Sequence, residues 1–385
     1  MMNFDFYNPV KILFGQGKIA DISNEIPKNA KVLITYGGGS IKRNGVYDQV
    51  ISALKGYDIT EFGGIEPNPK YENLMKAVEI VKTKNIDFLL AVGGGSVIDG
   101  TKFIAAAATF TGDPWDIIVN PKDAPITKAI PLASVLTLSA TGSEMNSGAV
   151  ITRESTKEKY SFGSPLLFPK FSVLDPTTTY SLPVNQIANG VVDAFVHVTE
   201  QYLTYPVKAY VQDRWAEGIL QTLTEIGPQT LGNPLNYDVR ANLMWSCTMA
   251  LNGFISVGVP TDWATHMIGH ELTAFFGLDH AVTLAIILPS LLRETKSEKK
   301  QKLLQYGQRV WGIEVGSEDR KVDEAIDKTE KFFQSMGIKT KLSDYGITKE
   351  QILPIVERFK QRKWKLGEMK TITPERVESI LLNAI

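Results

Sequence analysis

The chain has one cysteine, Cys247, among its 385 residues, so no disulfide can form within it. That scarcity fits a reducing compartment, with the cytoplasm as the expected location and Cys247 a buried structural thiol rather than a nucleophile. Charge of either sign is equally unremarkable: the formal net charge is -1, and no Lys/Arg-rich run is present. A nucleic-acid partner and an anionic membrane surface are therefore excluded, which leaves small molecules as the expected partners. Long hydrophobic runs are missing too. The apolar stretches FIAAAATF and AVTLAIILPSLL fall short of the roughly 20 residues that span a bilayer, and Pro289 interrupts the second. The opening MMNFDFYNPVKILFG has acids and a proline where a signal peptide needs a basic end and an apolar core, so it is not read as a targeting segment. There is no internal repeat and no low-complexity linker.

What is present is a composition of 43% hydrophobic and 22% charged residues, suited to a well-buried globular protein of more than one domain. From Lys31 to about Pro176, the runs KVLIT, YDITEF, FLLAV, AIPLASVLTL and FSVLDP read as strands. Between them, YENLMKAVEIVKTKN sets Leu74, Ala77, Val78 and Val81 at helical spacing, and SVIDGTKFIAAAA predicts a second helix. Alternating strand and helix imply βαβ units and a mostly parallel sheet. After Pro183 helical patterns follow one another to the end. Thr348 and Gln351 predict a capping box, and Thr373-Pro374-Glu375 the start of a last helix. The expected architecture is an α/β dinucleotide-binding domain over residues 1–180 and an all-α metal-binding domain over 181–385.

Two turns repeat one design. KVLITYGGGSIK and FLLAVGGGSVIDGTK each place three glycines and a serine between an apolar run and a helix. Glycine lets backbone N–H groups approach a phosphate closely, and a helix N-terminus adds open donors and the positive end of a dipole. Ser40 and Ser96 can add hydroxyls. Lys42 and Ile98 occupy the third glycine's place, so neither turn fits the usual G-x-G-x-x-G dinucleotide pattern, and either alone could be no more than a tight turn. TLSATGSEMN, rich in hydroxyls around Gly142, is a third candidate. Three such turns at the carboxyl ends of parallel strands would line the crevice where ligands bind in α/β sheets.

All four histidines fall in two short segments of the helical half. In GVVDAFVHVTEQYL, Asp193 and His197 share a helix face amid valines and Phe195; in TDWATHMIGHELTAFFGLDHA stand His266, His270 and His280. A buried carboxylate without a partner costs several kcal/mol, and a cation held with imidazoles removes that cost; Zn²⁺ and Fe²⁺ suit such ligands. The competing account is a hydrogen-bonded Asp193–His197 pair and a surface His266–His270 pair. Asp262 and Asp279 flank the second segment and rank below the histidines.

Together AVGGGSVIDGTK, TLSATGSE, NGVVDAFVHVTEQY and the spacing of His266, His270 and His280 resemble the iron-containing (group III) alcohol dehydrogenase family along essentially the whole chain. FYNPVKILFG, LITYGGGS, GGIEPNP and ATHMIGHELTA are similar to its NADPH-dependent aldehyde reductase and butanol dehydrogenase subgroup. The resemblance implies a Rossmann-like cofactor domain, a helical domain, and one divalent metal ion in a cleft between them. It implies Asp193, His197, His266 and His280 as ligands, with His270 beside the nicotinamide and the open metal position in a supporting or proton-relay role rather than ligation. It assigns Gly94, Gly95 and Ser96 to the pyrophosphate, with Asp99, Thr137, Thr141, Ser143, Asn146 and Lys159 nearby. Relatives that prefer NAD tend to carry an aspartate at the end of the first strand. Here Gly37, Gly38, Gly39 and Ser40 offer amides and a hydroxyl with no carboxylate to repel a 2′-phosphate, which favours NADP(H); Pro67 and Asn68 would wall the adenosine side. Ala281, where many relatives have glycine, and the long VGVPTDWATH approach depart from the family beside the substrate, so substrate preference does not carry over.

The implied activity is metal-dependent, NADP(H)-linked reduction of short- and medium-chain aldehydes to primary alcohols, reversible in direction, by a homodimer. Within the same fold the alternative is a nicotinamide-dependent metallo-lyase of the dehydroquinate-synthase kind, and outside it a non-redox metal hydrolase or a silent nucleotide-binding protein. A lyase acting on a phosphorylated substrate would want basic residues that TDWATHMIGHELTAFFGLDH does not supply.

Overall fold

A computed structural model describes residues 1–385. The chain divides into two compact units, one of Tyr7–Pro183 with Pro234–Asn252, the other of Met1–Phe6, Val184–Asn233 and Gly253–Ile385. No helix is long and apolar enough to cross a membrane.

In chain order the first unit contains β1 (Lys11–Phe14), β2 (Lys31–Tyr36), α1 (Ser40–Arg43), α2 (Val46–Ala53), β3 (Asp58–Phe62), α3 (Tyr71–Lys84), β4 (Phe88–Gly93), α4 (Gly95–Ala107), α5 (Asp116–Val119), β5 (Leu132–Leu136), β6 (Gly148–Arg153), β7 (Glu158–Gly163) and β8 (Phe171–Leu174). Six strands form one sheet in the order β1-β8-β5-β4-β2-β3, and every pairing is parallel. Strand periodicity divides its residues between two faces. Val32, Ile34, Leu90 and Val92 join the core built with Ile19, Ile22 and Val50. Leu33, Leu89 and Ala91 join the other, under Leu74, Val78, Ile98 and Phe103. The sheet and the two helices α3 and α4 follow the expected pattern.

β1, β6 and β7 have no counterpart among the expected strands. β1 is a four-residue edge strand with exposed or half-exposed side chains, and β6 and β7 form a separate antiparallel hairpin that buries Ala149, Ile151 and Phe162, while Val150 and Tyr160 between them are apolar too, so the alternation is blurred in the sequence. A further difference concerns the first glycine turn. α1 is one turn long and ends at Arg43, and Asn44 and Gly45 (φ 81°) separate it from α2. That turn therefore has amides and a hydroxyl to offer but not the dipole of a long helix.

After β8 the structure is helical: α6 (Val184–Tyr202), α7 (Tyr210–Gly232), α8 (Tyr237–Ala250), α9 (Ala264–Phe276), α10 (His280–Thr295), α11 (Lys300–Arg309), α12 (Glu318–Ser335), α13 (Lys349–Arg362) and α14 (Pro374–Asn383). The capping box at Thr348 and Gln351 forms, and Pro374 opens α14 behind Thr373. α8 belongs to the α/β unit. Its buried Arg240 donates to the carbonyls of Pro234 and Thr179, and Thr248 donates to the buried Glu144 carboxylate at 2.6 Å.

Candidate metal centre and phosphate turns

In the helical unit α6 is buried along its whole second half, from Gly190 to Tyr202. With 3.6 residues per turn, Asp193, His197 and Glu200 fall on one face. α9 presents His266 and His270 on its own face, and Gly277 (φ 70°) ends it by adopting the left-handed conformation that glycine accepts at no cost. The chain then turns directly into α10, whose first residue is His280. α10 packs against both α6 and α9. Gly269 permits the α9 contact, because a Cβ there would lie 2.7 Å from Thr283 Oγ1.

These helices gather three imidazoles about one carboxylate oxygen. Asp193 Oδ1 lies 3.6 Å from His197 Nε2, 3.9 Å from His266 Nε2 and 3.7 Å from His280 Nε2. Such separations exceed hydrogen-bond length. They match two donors on one tetrahedral ion, which at metal–ligand distances of about 2.1 Å sit about 3.4 Å apart. Ligand atoms of Asp193, His266 and His280 all fall within 4.8 Å of one another. Asp193, His197 and His266 are buried and His280 half-buried. Burial drives the His197 imidazole down to about 4, against the pull of Asp193, so it is neutral at pH 7, as a ligand must be. On both donor chemistry and spacing, these residues fit a divalent ion. His270 lies at the side of the cluster, its ring 5.4 Å from that of His280 and 6.2 Å from that of His266. Neither flanking aspartate joins in: Asp262 pairs with Lys299 at 2.8 Å, and Asp279 accepts from Asn189 at 3.2 Å.

Glu200 was invisible to sequence reasoning. It is 3% exposed, accepts the Thr265 N–H at 2.6 Å and contacts His266 Nδ1. Burial, then the neighbouring Asp262, pushes its carboxyl well above the usual range. The available signal was its spacing, three residues beyond His197 on the same face.

In the α/β unit, the chain after β2 goes to β3 on one side of that strand and on to β4 on its other side. The two GGGS turns therefore stand at the carboxyl ends of adjacent strands flanking the topological switch point, and the Thr137–Asn146 turn follows β5, the next strand over. The turns are in contact range: a Cβ on Gly95 would lie 2.3 Å from Thr141 Oγ1, and one on Gly94 2.9 Å from Leu138 Cβ. α4 is thirteen residues long and opens with Gly95 and Ser96, giving this turn the dipole the first one lacks. Ser96 Oγ accepts the Asn68 N–H at 3.3 Å, and Lys159, from the hairpin, donates to Asn68 Oδ1 at 2.8 Å. Asp99, Ser143 and Asn146 gather around a different group, the buried ammonium of Lys102. It donates to the Ser143 carbonyl and hydroxyl, Asn146 Oδ1 and the Gly148 carbonyl at 2.7–3.0 Å. Asp99 accepts from Ser143 Oγ at 2.5 Å and from the Val150 N–H at 2.9 Å. The polar atoms of these three are thus engaged in shaping the third turn. Thr137 donates its N–H to Gly93; Gly38 and Ser40 are exposed, Gly37 and Gly39 half-exposed, Pro67 exposed and Asn68 half-buried.

A parallel sheet with glycine-rich turns at its switch point, and a His/Asp cluster on neighbouring helices, are the two parts of a nicotinamide-linked, metal-dependent dehydrogenase. Residues 9–176 match the family model for iron-containing alcohol dehydrogenase and residues 187–385 that for the C-terminal part of the Fe-containing alcohol dehydrogenase family. The chain belongs to this family. It is 57% identical to the NADPH-dependent aldehyde reductase YqhD of Escherichia coli K12 over 377 residues, 97% of each chain. It is 46% identical to a probable NADH-dependent butanol dehydrogenase of Bacillus subtilis strain 168 over 389 residues, 99% of each. The crystal structure of E. coli YqhD superposes with a TM-score of 0.98 at 56% identity, over 100% of this chain and 99% of that one.

Proposed function

We propose that this oxidoreductase interconverts short- and medium-chain aldehydes and primary alcohols with NADP(H), using one divalent ion, Zn²⁺ or Fe²⁺, held by Asp193, His197, His266 and His280. The observation that carries the reading is the ring of three imidazole nitrogens, 3.6–3.9 Å from one buried carboxylate oxygen, in a chain of this family. When bound, the ion supplies Lewis acidity toward a carbonyl oxygen, and the reduced nicotinamide supplies the hydride.

The chain's own groups do the rest. Burial of α6 excludes water around Asp193 and His197, which strengthens every electrostatic contact there. His270, beside the cluster without belonging to it, holds and returns the proton that the alcohol oxygen needs. Gly94, Gly95 and Ser96 bind the pyrophosphate at the start of α4, with Thr141 packed over Gly95. Lys102 and Asp99 hold the third turn, with Thr137, Ser143 and Asn146 in it, against that helix. Lys159 holds Asn68 through its amide oxygen, and Asn68 with Pro67 walls the adenosine side. Gly37, Gly38, Gly39 and Ser40 accept the 2′-phosphate, with Pro67 at the adenosine.

The relatives' names divide between NADPH and NADH, so the NADP(H) assignment rests on the first turn, which carries no carboxylate. The cofactor domain, expected over residues 1–180, corresponds to the α/β unit with α8 added, and the metal domain, expected over 181–385, to the helical unit; we assign the working protein to the cytoplasm as a homodimer. The test is the loss of NADPH absorbance when short-chain aldehydes are added to metal-replete protein. No loss across a panel of aldehydes would refute the activity, and the lyase or hydrolase would take its place.

A further inference from the structure

We infer that Glu200 is a positioning residue of the metal centre: it fixes the tautomer of His266 and sets the separation between the two helices that carry the ligands. The inference rests on the metal reading above. α6 supplies Asp193 and His197, and α9 supplies His266, so one ion can be shared only if α6 and α9 are held at a defined distance. Glu200 makes three contacts across that gap. Its main-chain carbonyl accepts the Asp262 N–H at 2.9 Å, its Oε1 accepts the Thr265 N–H at 2.6 Å, and its Oε2 contacts His266 Nδ1. Two of these capture the main chain around the start of α9, and the third captures the ligand ring itself.

The chemistry of the contact decides which nitrogen faces the ion. As the ionised carboxylate, the form that the Thr265 N–H favours against the upward push of burial and Asp262, Glu200 accepts, so the proton of His266 sits on Nδ1 and the lone pair on Nε2. Nε2 is the atom 3.9 Å from Asp193 Oδ1, on the side where the ligands converge. A carboxylate behind a metal-bound imidazole orients the ring and raises its basicity, and losing it costs about 10–100-fold in metal affinity. The influence extends to His197. Its Nδ1 has no hydrogen-bond partner in the protein, and its ring is stacked on His266 at 4.7 Å with 16° between planes. Holding His266 therefore also holds His197. Asp262, whose N–H reaches the Glu200 carbonyl, is itself pinned by Lys299, which also pairs with Glu368 at 2.9 Å. The start of α9 is thus fixed from both sides.

The test is Glu200→Gln in the full chain, read by chelator competition for Zn²⁺ and by metal content. The amide has one acceptor oxygen where the carboxylate has two, so its NH2 donor must face either the Thr265 N–H or the His266 Nδ1–H. Zn²⁺ affinity is expected to fall about 10–100-fold, while the metal-free variant keeps the far-UV spectrum and melting temperature of metal-free wild type. Zn²⁺ binding within twofold of wild type would overturn the inference. A second measurement needs no variant: in Zn²⁺-loaded wild type, nitrogen NMR of the four histidines is expected to show a slowly exchanging proton on Nδ1 of His266, and a proton on Nε2 would overturn the inference. Failure of wild type to bind Zn²⁺ or Fe²⁺ would instead sink the metal reading itself, which keeps the two failures apart.

Discussion

His197 Nε2 and Asp193 Oδ1 lie 3.6 Å apart on successive turns of a buried helix. They are too far apart to hydrogen-bond and at the spacing of two ligands on one ion. His266 and His280 bring two more nitrogens to the same oxygen, which makes the roles of the four histidines separable by experiment.

His266→Ala is expected to lose bound metal, and His270→Ala to keep it while kcat falls roughly 100-fold, the scale of a lost proton relay. Metal analysis after gel filtration, alongside steady-state kinetics, checks both. Equal metal loss in the two variants would reverse the assignment of His270.

Gly38 and Gly95 separate binding from folding. A Cβ on Gly38 meets nothing within 4 Å, whereas one on Gly95 collides with Thr141. Gly38→Ala should leave the melting temperature unchanged and weaken NADPH binding; Gly95→Ala should cost about 1–3 kcal/mol of stability through overpacking. Thermal melts and nucleotide titrations give the comparison, and a destabilised Gly38→Ala would contradict it.

Gly38→Asp places a carboxylate at the carboxyl end of β2. Repulsion of a 2′-phosphate should lower kcat/KM for NADPH about 10- to 100-fold while leaving NADH untouched or improved. An equal effect on both cofactors would remove the 2′-phosphate from this turn.

Burial depresses the Lys102 ammonium from 10.5 to about 8. Between those values the unfolded chain binds more protons than the folded one, so this group makes stability rise with pH across the window and contributes no slope below it. The stability difference between wild type and Lys102→Met, from urea midpoints, should therefore increase between about pH 8 and pH 10, by order 3 kcal/mol for the full window. Parallel pH profiles would show that Lys102 titrates normally.

Much of this protein is written in local pattern. Apolar periodicity specified the central strands, α3 and α4, because burial of one face leaves a repeat in the chain. The glycine turns and the confinement of four histidines to two segments were equally legible, since each is a short-range feature of residue type. The edge strand β1 and the hairpin β6–β7 left no such trace: β1 is short and largely exposed, and in the hairpin Val150 and Tyr160 blur the alternation of the buried Ala149, Ile151 and Phe162. Lys159 and Asn68 were both nameable in advance, but their pairing was not, because hydrogen bonding across distant segments follows from topology.

The sequence by itself determined the class of chemistry, through ligand types and turns that no alternative packing would make useful. Only the tertiary structure decided which groups share a site. It set three nitrogens around Asp193 Oδ1, left Asp262 to Lys299, turned Asp99 toward Ser143 and Val150, and placed Glu200 behind His266. The reason is physical. Hydrogen bonds and coordination act over about 2–3 Å, and the order in which α6, α9 and α10 pack, which no stretch of chain encodes alone, determines which side chains come that close.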